Sequence, residues 1–377
     1  MEVSIVMPCL NEEATIGSCI IKAKKGLQSA GVSGEIVVVD NGSTDRSVDN
    51  ARQLGARVVF EANKGYGNAY KKGFAEAHGQ FLIMGDSDDT YDFSEIRPFI
   101  DALKKGADLV VGTRLKGKIL PGAMPPLHRY FGTPFLAWLL NLFFKTGISD
   151  PNCGLRGLTK DAFLKMHLQS GGMEFASEMI INAAREKLKI KEVPITYYPR
   201  QGESKLRTFH DGWRHLRFML FYSPTYLFLL PGALISLIGL FFLVAILPGT
   251  FSFGGLKFDI HYMVLGSALS TLGSQILTIG LFAKCYAYTE GYEVEDRFIK
   301  FFLKHFSLER GLYLGGILFL IGLIWNIFIL VKWINSDFGA LAEIRPALFA
   351  LSLVVLGVQA IFSSFFISIL LLKKGRF

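Results

Sequence analysis

The chain has 377 residues, of which 51% are hydrophobic, and its formal net charge is +8. This length accommodates one soluble domain followed by a bundle of membrane helices, and the crowding of apolar residues into the C-terminal part favours that organisation over two soluble domains. The basic balance favours an anionic partner or a membrane surface, but the sequence lacks RNP-like, zinc-finger and basic heptad patterns, so nucleic acid is not expected as a partner.

Up to about residue 115, short apolar runs rich in β-branched residues alternate with stretches of helical pattern. Unbroken apolar strands are typically buried on both faces, and their alternation with helices predicts a parallel sheet covered by helices on both sides. The expected fold class of this part is therefore Rossmann-like α/β. The predicted strands are 3–7, 36–39, 58–60, 81–84 and 109–111, and the predicted helices include 13–30 and 68–77.

Polar clusters follow the first four predicted strands at the point where each strand ends. Since ligands of such sheets bind beyond the carboxyl ends of the strands, we expect these clusters to form one crevice. The alternative is that they are ordinary turns. The clusters are 8–12, 40–45, 63–67 and 86–91.

The strongest of these signals is the apolar strand 81–84, which leads directly to Asp86 and Asp88. Mg²⁺ and Mn²⁺ prefer one or two carboxylates together with phosphate oxygens, and a diphosphate ligand needs such a cation. The pattern therefore predicts a divalent-metal site formed by Asp86 and Asp88. A solvated turn is the alternative for this pattern taken alone.

Two further clusters suit a nucleotide. Asp40, Asn41 and Ser43 follow the second strand and suit hydrogen bonds to a base and a ribose, whereas Asp45 either joins them or only caps the next helix. A strand-to-helix junction favours phosphate through exposed amides and the helix dipole. That junction contains Lys64, Gly65 and Gly67.

An aromatic-rich stretch lies at 127–145, with an apolar core at 135–144. This core is too short to span a bilayer, which needs about 20 residues. It is expected either to lie in the plane of the membrane interface or to be a buried helix of the soluble domain.

Four longer apolar segments follow, at 226–247, 262–286, 312–333 and 347–372, and each is long enough to cross a membrane. The positive-inside rule then places the N-terminal domain, the second linker and the C-terminus in the cytoplasm. We expect an α/β domain with interface helices at 1–215, which faces the cytoplasm, and a membrane domain of four helices at 216–377. The basic residues that set this orientation are Arg297, Lys300, Lys304, Arg310, Lys373, Lys374 and Arg376.

Taken together, the motifs at 8–12, 40–45, 63–73 and 86–88 resemble those of family 2 glycosyltransferases of the GT-A fold, over the first two hundred or so residues. Within that family, the chain is most similar to polyprenyl-phosphate glycosyltransferases such as dolichol-phosphate mannose synthase and dolichol-phosphate glucose synthase. Supporting matches are the segments 112–114, 149–156, 174–178 and 200–205.

The resemblance implies an inverting, metal-dependent transfer of a hexose from a nucleotide-sugar of the GDP-mannose or UDP-glucose type. The implied acceptor is a polyprenyl phosphate, dolichyl or undecaprenyl. Implied donor-binding residues are Pro8, Asn11, Glu12, Asp40, Asn41, Ser43, Asp45, Lys64, Gly65, Gly67, Asp86, Ser87, Asp88 and Arg114. Candidates for the acceptor phosphate are Arg129, Arg156, Arg200, Ser204 and Lys205. Arg129 and Arg200 are alternatively topogenic charges that contact lipid headgroups.

The chain departs from the family pattern at two positions. Asn41 replaces the second aspartate of the usual pair after the nucleotide-binding strand, and Thr90 stands where mannose synthases of this group often have a metal-ligating glutamine. Base preference and metal geometry are therefore left open.

Other functions remain as alternatives. A processive polysaccharide synthase usually has a Gln-x-x-Arg-Trp motif, which the sequence lacks. A transferase to a glycolipid hydroxyl needs a catalytic base, for which Asp150 or Glu178 is available. A nucleotide-sugar-binding scaffold without catalysis is the non-enzymatic alternative, and a homo-oligomer is left open.

Overall fold

The structure is a computed structural model that describes residues 1–201, 208–289 and 297–372. The chain divides into two compact units, Met1–Met219 and Leu220–Phe377. The observed boundary, between Met219 and Leu220, lies four residues after the boundary expected between residues 215 and 216. Ser204 and Lys205, two of the candidates for the acceptor phosphate, lie outside the described residues, as do the basic residues of the C-terminal tail.

A seven-stranded sheet forms the centre of the first unit. Its strands are β1 (Val3–Cys9), β2 (Gly34–Asp40), β3 (Arg57–Phe60), β4 (Phe81–Met84), β5 (Leu109–Ile119), β6 (Arg156–Thr159) and β7 (Ile190–Tyr197). They lie in the order β3-β2-β1-β4-β6-β5-β7. All the strands expected from the apolar runs are present, and β6 and β7 are additional.

The sheet is mixed, whereas the alternation of strands and helices predicted a parallel one. β6 runs antiparallel to its neighbours β4 and β5, and the other adjacent strands are parallel. The chain reaches β6 past the carboxyl end of β4, where Gly154 lies so near Asp86 that a Cβ would be 2.8 Å from the carboxylate. Because the chain enters the sheet from this edge, β6 must run back towards the opposite edge.

Helices cover both faces of this sheet, as expected. Ile5 of β1 packs with Ile16 and Ile20 on one face, and Val6 faces Gly73 on the other. Burial of these alternating residues anchors the strand between two helical layers. The helices are α1 (Ile16–Ala30), α2 (Ser47–Gln53), α3 (Tyr66–Glu76), α4 (Arg97–Lys104), α5 (Thr133–Phe144), α6 (Lys160–Met166), α7 (Phe175–Arg185) and α8 (Thr208–Phe221).

The aromatic-rich stretch forms α5 and the π-helical turn His128–Gly132 that precedes it. Leu136 and Leu140 on one face are buried in the first unit. On the other face, the rings of Phe131, Phe135 and Trp138 stack in a row with centroid separations of 5.7 and 6.0 Å, and all three are exposed. The expectation of a helix buried in the soluble domain is therefore met on one face, and placement of the exposed aromatic face at a membrane interface stays a prediction.

Among the described residues of the second unit, four helices are long and apolar enough to cross a membrane: Thr225–Ile246, Ile260–Thr289, Leu308–Asn335 and Ile344–Leu371. The first span consists of a π-helical turn, Thr225–Leu229, and helix α9, Leu230–Ile246. The other three spans are helices α10 (Ile260–Thr289), α12 (Leu308–Asn335) and α13 (Ile344–Leu371). A short helix, α11 (Arg297–His305), lies in the second linker. The hairpin of β8 (Phe251–Phe253) and β9 (Leu256–Phe258) shows that this unit is not entirely helical. The expected α/β domain followed by four long apolar helices is otherwise confirmed.

Small residues allow the membrane helices to approach closely in pairs. A Cβ on Gly239 of α9 would lie 2.2 Å from the backbone nitrogen of Ser270 in α10. A Cβ on Gly357 of α13 would lie 2.5 Å from the backbone nitrogen of Phe319 in α12. Lipid tails are as apolar as the helices, so such close backbone packing is a main source of helix association in a bilayer.

Candidate active site

Asp86 and Asp88 lie at the carboxyl end of β4, as the sequence pattern predicted. Thr90 donates to Asp88 Oδ1 from its hydroxyl at 2.6 Å and from its backbone nitrogen at 3.2 Å. The Nε atom of Arg200 lies 3.4 Å from Asp88 Oδ2. Burial, and next the charge of Asp88, raises the pKa of the Asp86 carboxyl to about 7. The pair therefore places two carboxyl groups side by side, with Asp88 buried and Asp86 partly exposed.

Two tyrosines at the start of α3 lie beside Asp86. The Tyr70 hydroxyl donates to Asp86 Oδ1 at 3.3 Å, and the Tyr66 ring packs edge-on against the Tyr70 ring with a centroid separation of 4.8 Å. Burial raises the pKa of both phenols well above its ordinary value, so they remain protonated donors. The sequence analysis missed them, although tyrosines four residues apart at a helix start do share one face.

This pair fits a divalent cation bound together with a diphosphate. Within the described ranges, no group of three or more His, Cys, Asp or Glu side chains is placed to hold a metal ion. Mg²⁺ typically takes one or two carboxylates and fills its other positions with water and substrate phosphates. Asp86 and Asp88 match that requirement, whereas a metal held by protein ligands alone does not fit the described residues.

Hydrogen bonds join the loops after β1 and β2. The Asn11 side chain accepts from the Thr44 backbone nitrogen at 2.8 Å, and the Asn11 nitrogen donates to the Ser43 hydroxyl at 3.0 Å. The Ser87 hydroxyl donates to the Pro8 carbonyl at 2.6 Å, which ties the loop after β4 to the same crevice. The structure therefore brings these three clusters together.

The carboxylates of Asp40 and Asp45 support the backbone of their own loop. Asp40 is buried and accepts from the backbone nitrogens of Gly42 and Ser43. Asp45 accepts from the backbone nitrogen of Ser47, the first residue of α2. Asp45 therefore stabilises the turn that leads into α2, whose N-cap residue is Arg46, and no side-chain capping bond is present at that helix.

Asn41 links the second and third clusters through its amide. Its Nδ2 donates to the carbonyls of Glu61 and Asn63 at 2.8 and 3.0 Å, and its Oδ1 accepts from the Gly65 nitrogen at 2.7 Å. An aspartate has no N–H to donate to these carbonyls. This structural role explains why asparagine replaces the usual aspartate.

The phosphate-binding role predicted for Gly65 and Gly67 does not fit their geometry. The Gly65 nitrogen donates to Asn41, and the Gly67 nitrogen donates to the Gly171 carbonyl at 2.9 Å. A Cβ at Gly65 would lie 2.3 Å from the Gly171 oxygen. These glycines therefore allow the loop at Gly171 to pack against the start of α3, while the Lys64 side chain remains exposed.

Asp150 is fully buried and forms a bidentate ion pair with Arg114. Arg114 donates through Nε and Nη2 to the two carboxylate oxygens, both at 2.8 Å, and its guanidinium lies 4.9 Å from the centre of the Tyr197 ring. Glu178 is also fully buried and accepts from the backbone nitrogens of Gln169 and Ser170. These contacts make both carboxylates structural and remove the basis for their predicted catalytic role.

The arginines expected at the acceptor phosphate have three different surroundings. Arg156 is fully buried, and its guanidinium donates to the carbonyls of Pro151, Cys153 and Ala176, so it holds backbone segments together beneath the site. Arg129 is exposed beside the Tyr130 ring. Arg200 lies near Asp88 and, at 3.7 Å, Glu12, which places it in the crevice.

Replacing Asp150 with Asn should destabilise the protein, because it leaves the Arg114 guanidinium buried without its counter-ion. Breaking a buried pair in this way costs about 3–5 kcal/mol. The midpoint of thermal unfolding should fall clearly below that of wild type, whereas Asp101→Asn, at an exposed pair with Arg97, should leave it nearly unchanged. A variant with normal thermal stability but no activity would instead restore Asp150 as a catalytic base.

The sequence matches two family models and several curated proteins. The family model described as glycosyl transferase family 2 matches residues 4–166, and the glycosyltransferase family 2 C-terminal transmembrane region matches residues 281–371. The chain is 43% identical to the low-salt glycan biosynthesis hexosyltransferase Agl6 of Haloferax volcanii, over 96% of this chain and 87% of that protein. It is 32% identical to a dolichyl-phosphate hexose transferase of the same organism, over 56% of this chain and 89% of that protein. It is 30% identical to a dolichol-phosphate mannosyltransferase of Pyrococcus furiosus, over 57% of this chain and 63% of that protein.

Proposed function

The chain belongs to glycosyltransferase family 2, and on that premise we propose that it transfers a hexose from a nucleotide-sugar to a polyprenyl phosphate. The observation that carries the proposal is the pair of Asp86, which is partly exposed, and buried Asp88 at the carboxyl edge of the sheet, with Arg200 beside it. The names of two relatives, which specify dolichyl- or dolichol-phosphate, support this class of acceptor. The proposed product is a lipid-linked sugar that serves as donor for protein or cell-envelope glycosylation.

The proposed donor is of the GDP-mannose or UDP-glucose type, and the proposed acceptor is dolichyl or undecaprenyl phosphate. In the reaction, the bond from the anomeric carbon to the diphosphate oxygen breaks while a bond to an acceptor phosphate oxygen forms on the opposite face. The nucleoside diphosphate leaves, and the configuration at the anomeric carbon inverts. No proton has to be removed from the nucleophile, because a phosphate is already an anion at neutral pH.

The contacts of the buried carboxylates support a phosphate acceptor over a hydroxyl acceptor. A hydroxyl nucleophile would need a base, and the two candidates, Asp150 and Glu178, are both buried in structural hydrogen bonds. An anionic nucleophile needs positioning and charge compensation instead. Arg200 supplies positive charge in the crevice for that purpose.

Mg²⁺ or Mn²⁺, when bound, supplies positive charge to the leaving diphosphate. Asp86 and Asp88 are the residues that would hold it. Tyr70 and Thr90 fix the orientation of these two carboxylates through hydrogen bonds, so the site is prepared before the ligands arrive.

The exposed aromatic row of Phe131, Phe135 and Trp138 supports contact of the catalytic domain with the membrane interface. Aromatic side chains favour the depth of lipid headgroups, where the phosphate of a polyprenyl phosphate also lies. Arg129 directly precedes this row and is exposed. We place Arg129 at the acceptor phosphate on this basis.

Replacing Asp88 with Asn should abolish hexose transfer and leave the fold intact, because a neutral amide has the same shape but cannot neutralise a cation. EDTA should have the same effect on the wild type. Transfer of labelled hexose to polyprenyl phosphate in membranes measures both, with Asp101→Asn on the exposed face of α4 as the control. Full activity of Asp88→Asn, or of the wild type in EDTA, would contradict the proposed metal site.

Replacing Arg129 with Ala should lower kcat/KM for the polyprenyl phosphate by about ten- to a hundredfold, as expected for loss of a hydrogen bond to a charged group. Slow hydrolysis of the nucleotide-sugar should be unaffected, because the donor crevice is unchanged. Arg52→Ala is the matched control, since Arg52 is likewise exposed and lies 5.7 Å from the centre of the Phe60 ring. Equal acceptor kinetics in the two variants would exclude Arg129 from the acceptor site.

Orientation in the membrane can be tested by labelling. The four native cysteines are buried, so a single engineered cysteine should react selectively. Positive-inside counting places the catalytic domain and both termini in the cytoplasm. A cysteine at exposed Ser252 in the β8–β9 hairpin should therefore react with an impermeant reagent in intact cells, and one at exposed Lys304 in α11 should react only after permeabilisation. The reverse pattern would invert the proposed topology.

A further inference from the structure

Asp89 directly follows the metal-site pair but has different surroundings. Its backbone is left-handed, with φ of 64°, a conformation that costs most non-glycine residues about 1–2 kcal/mol. Its carboxylate is buried and faces α1. Strained backbone of this kind persists only where the surrounding contacts determine it.

Those contacts come from one side of α1 and the residue before it. The Lys22 ammonium lies 2.7 Å from Asp89 Oδ1, and the Ser18 hydroxyl donates to Asp89 Oδ2 at 3.2 Å. The Thr15 hydroxyl donates to the Ser87 carbonyl at 2.7 Å. Positions 15, 18 and 22 are spaced to share one face of a helix, so this face contacts the loop at two points on either side of Asp88.

The opposite part of α1 is firmly held. Ile16 and Ile20 have no exposed surface and pack in the core against the sheet. A helix buried in this way provides a rigid support for the polar contacts on its other side. Packing of α1 against the sheet therefore sets the distance between this helix and the loop that contains Asp86 and Asp88.

Lys22 also contacts the strand that leads to Arg200. Its ammonium lies 5.8 Å from the centre of the Tyr198 ring, and the Tyr198 nitrogen donates to the Thr90 carbonyl at 3.1 Å. The same lysine thus lies between the loop that carries Asp88 and the segment that carries Arg200.

We infer that Asp89, held by Lys22 and Ser18, is a positioning residue that fixes the Asp86 and Asp88 carboxylates in the arrangement that a divalent cation requires. Asp89 does not contact the cation in this assignment, because its carboxylate is engaged by α1. The inference rests on the proposed metal site. It adds α1, through Lys22, to the elements that determine metal affinity.

The test is binding of Mn²⁺ to the full-length protein in detergent in the presence of UDP or GDP, which supply the phosphate oxygens. It is measured from the electron paramagnetic resonance signal of unbound Mn²⁺, against a protein-free blank with the same nucleotide. The variants are Asp89→Asn, in which asparagine tolerates the left-handed backbone, and Lys22→Met, which removes the charge and keeps the apolar stem. Arg57→Met is the matched control: the Arg57–Glu35 pair has side chains 34% and 8% exposed, against 30% and 10% for Lys22–Asp89. It lies at the amino ends of β2 and β3, away from the crevice.

Both test variants should raise the dissociation constant for Mn²⁺ by about tenfold or more, the effect expected for residues that orient metal ligands. Lys22→Arg should restore affinity to near the wild-type value, and Arg57→Met should leave it unchanged while lowering thermal stability about as much as Lys22→Met. If Asp89→Asn does not fold, Lys22→Met and Lys22→Arg decide the question alone.

Unchanged affinity in the test variants, or equal weakening in Arg57→Met, would overturn the positioning role. The wild type and Asp88→Asn separate this outcome from failure of the proposed function. If wild-type protein does not bind Mn²⁺, the metal site itself is wrong and the inference fails with it. If the wild type binds and only Asp88→Asn loses affinity, the metal site stands and the role of Asp89 is overturned.

Discussion

The repulsion between the Asp86 and Asp88 carboxylates is the interaction on which the arrangement of the first unit depends. Burial, and next the charge of Asp88, raises the pKa of the Asp86 carboxyl, because two neighbouring negative charges with limited hydration disfavour each other. The protein offsets this cost with hydrogen bonds from Tyr70 and Thr90 and with the positive charge of Arg200. This repulsion, only partly compensated by the protein, is the feature that supports the proposed site for a cation and a phosphorylated ligand.

Several charged side chains that resemble ligand-binding residues instead hold the walls of the crevice. Arg114 and Asp150 neutralise each other, and Arg156 satisfies three carbonyls where the chain turns into β6. A buried charge without partners would be strongly destabilising, so these pairings must form wherever the chain buries such residues. The wall is therefore stiff, which suits a reaction that depends on positioning two anions.

In the second unit a different constraint applies, because apolar surface gains little from leaving lipid. Gly239 and Gly357 let paired helices approach until backbone meets backbone, and this close packing takes the place of a hydrophobic core. The exposed apolar side chains of α9, α10, α12 and α13 are consistent with a surrounding of lipid tails.

The sequence by itself determined the features that depend on neighbouring residues: the apolar runs of β1 to β5, the four membrane-spanning helices, and the delivery of Asp86 and Asp88 at the end of a buried strand. Periodicity and length suffice for these, because burial of one segment is decided by its own composition. The motifs also identified the family. Only the tertiary structure decided the direction of β6, the hydrogen bonds of Asn41 between two loops, and the contacts that hold Asp150 and Glu178. The reason is that the partners are distant in the chain: Arg114 is 36 residues from Asp150, and Lys22 is 67 residues from Asp89. A local sequence pattern does not show whether a carboxylate lies in the crevice or pairs with a buried arginine or lysine side chain, because tertiary packing determines these contacts.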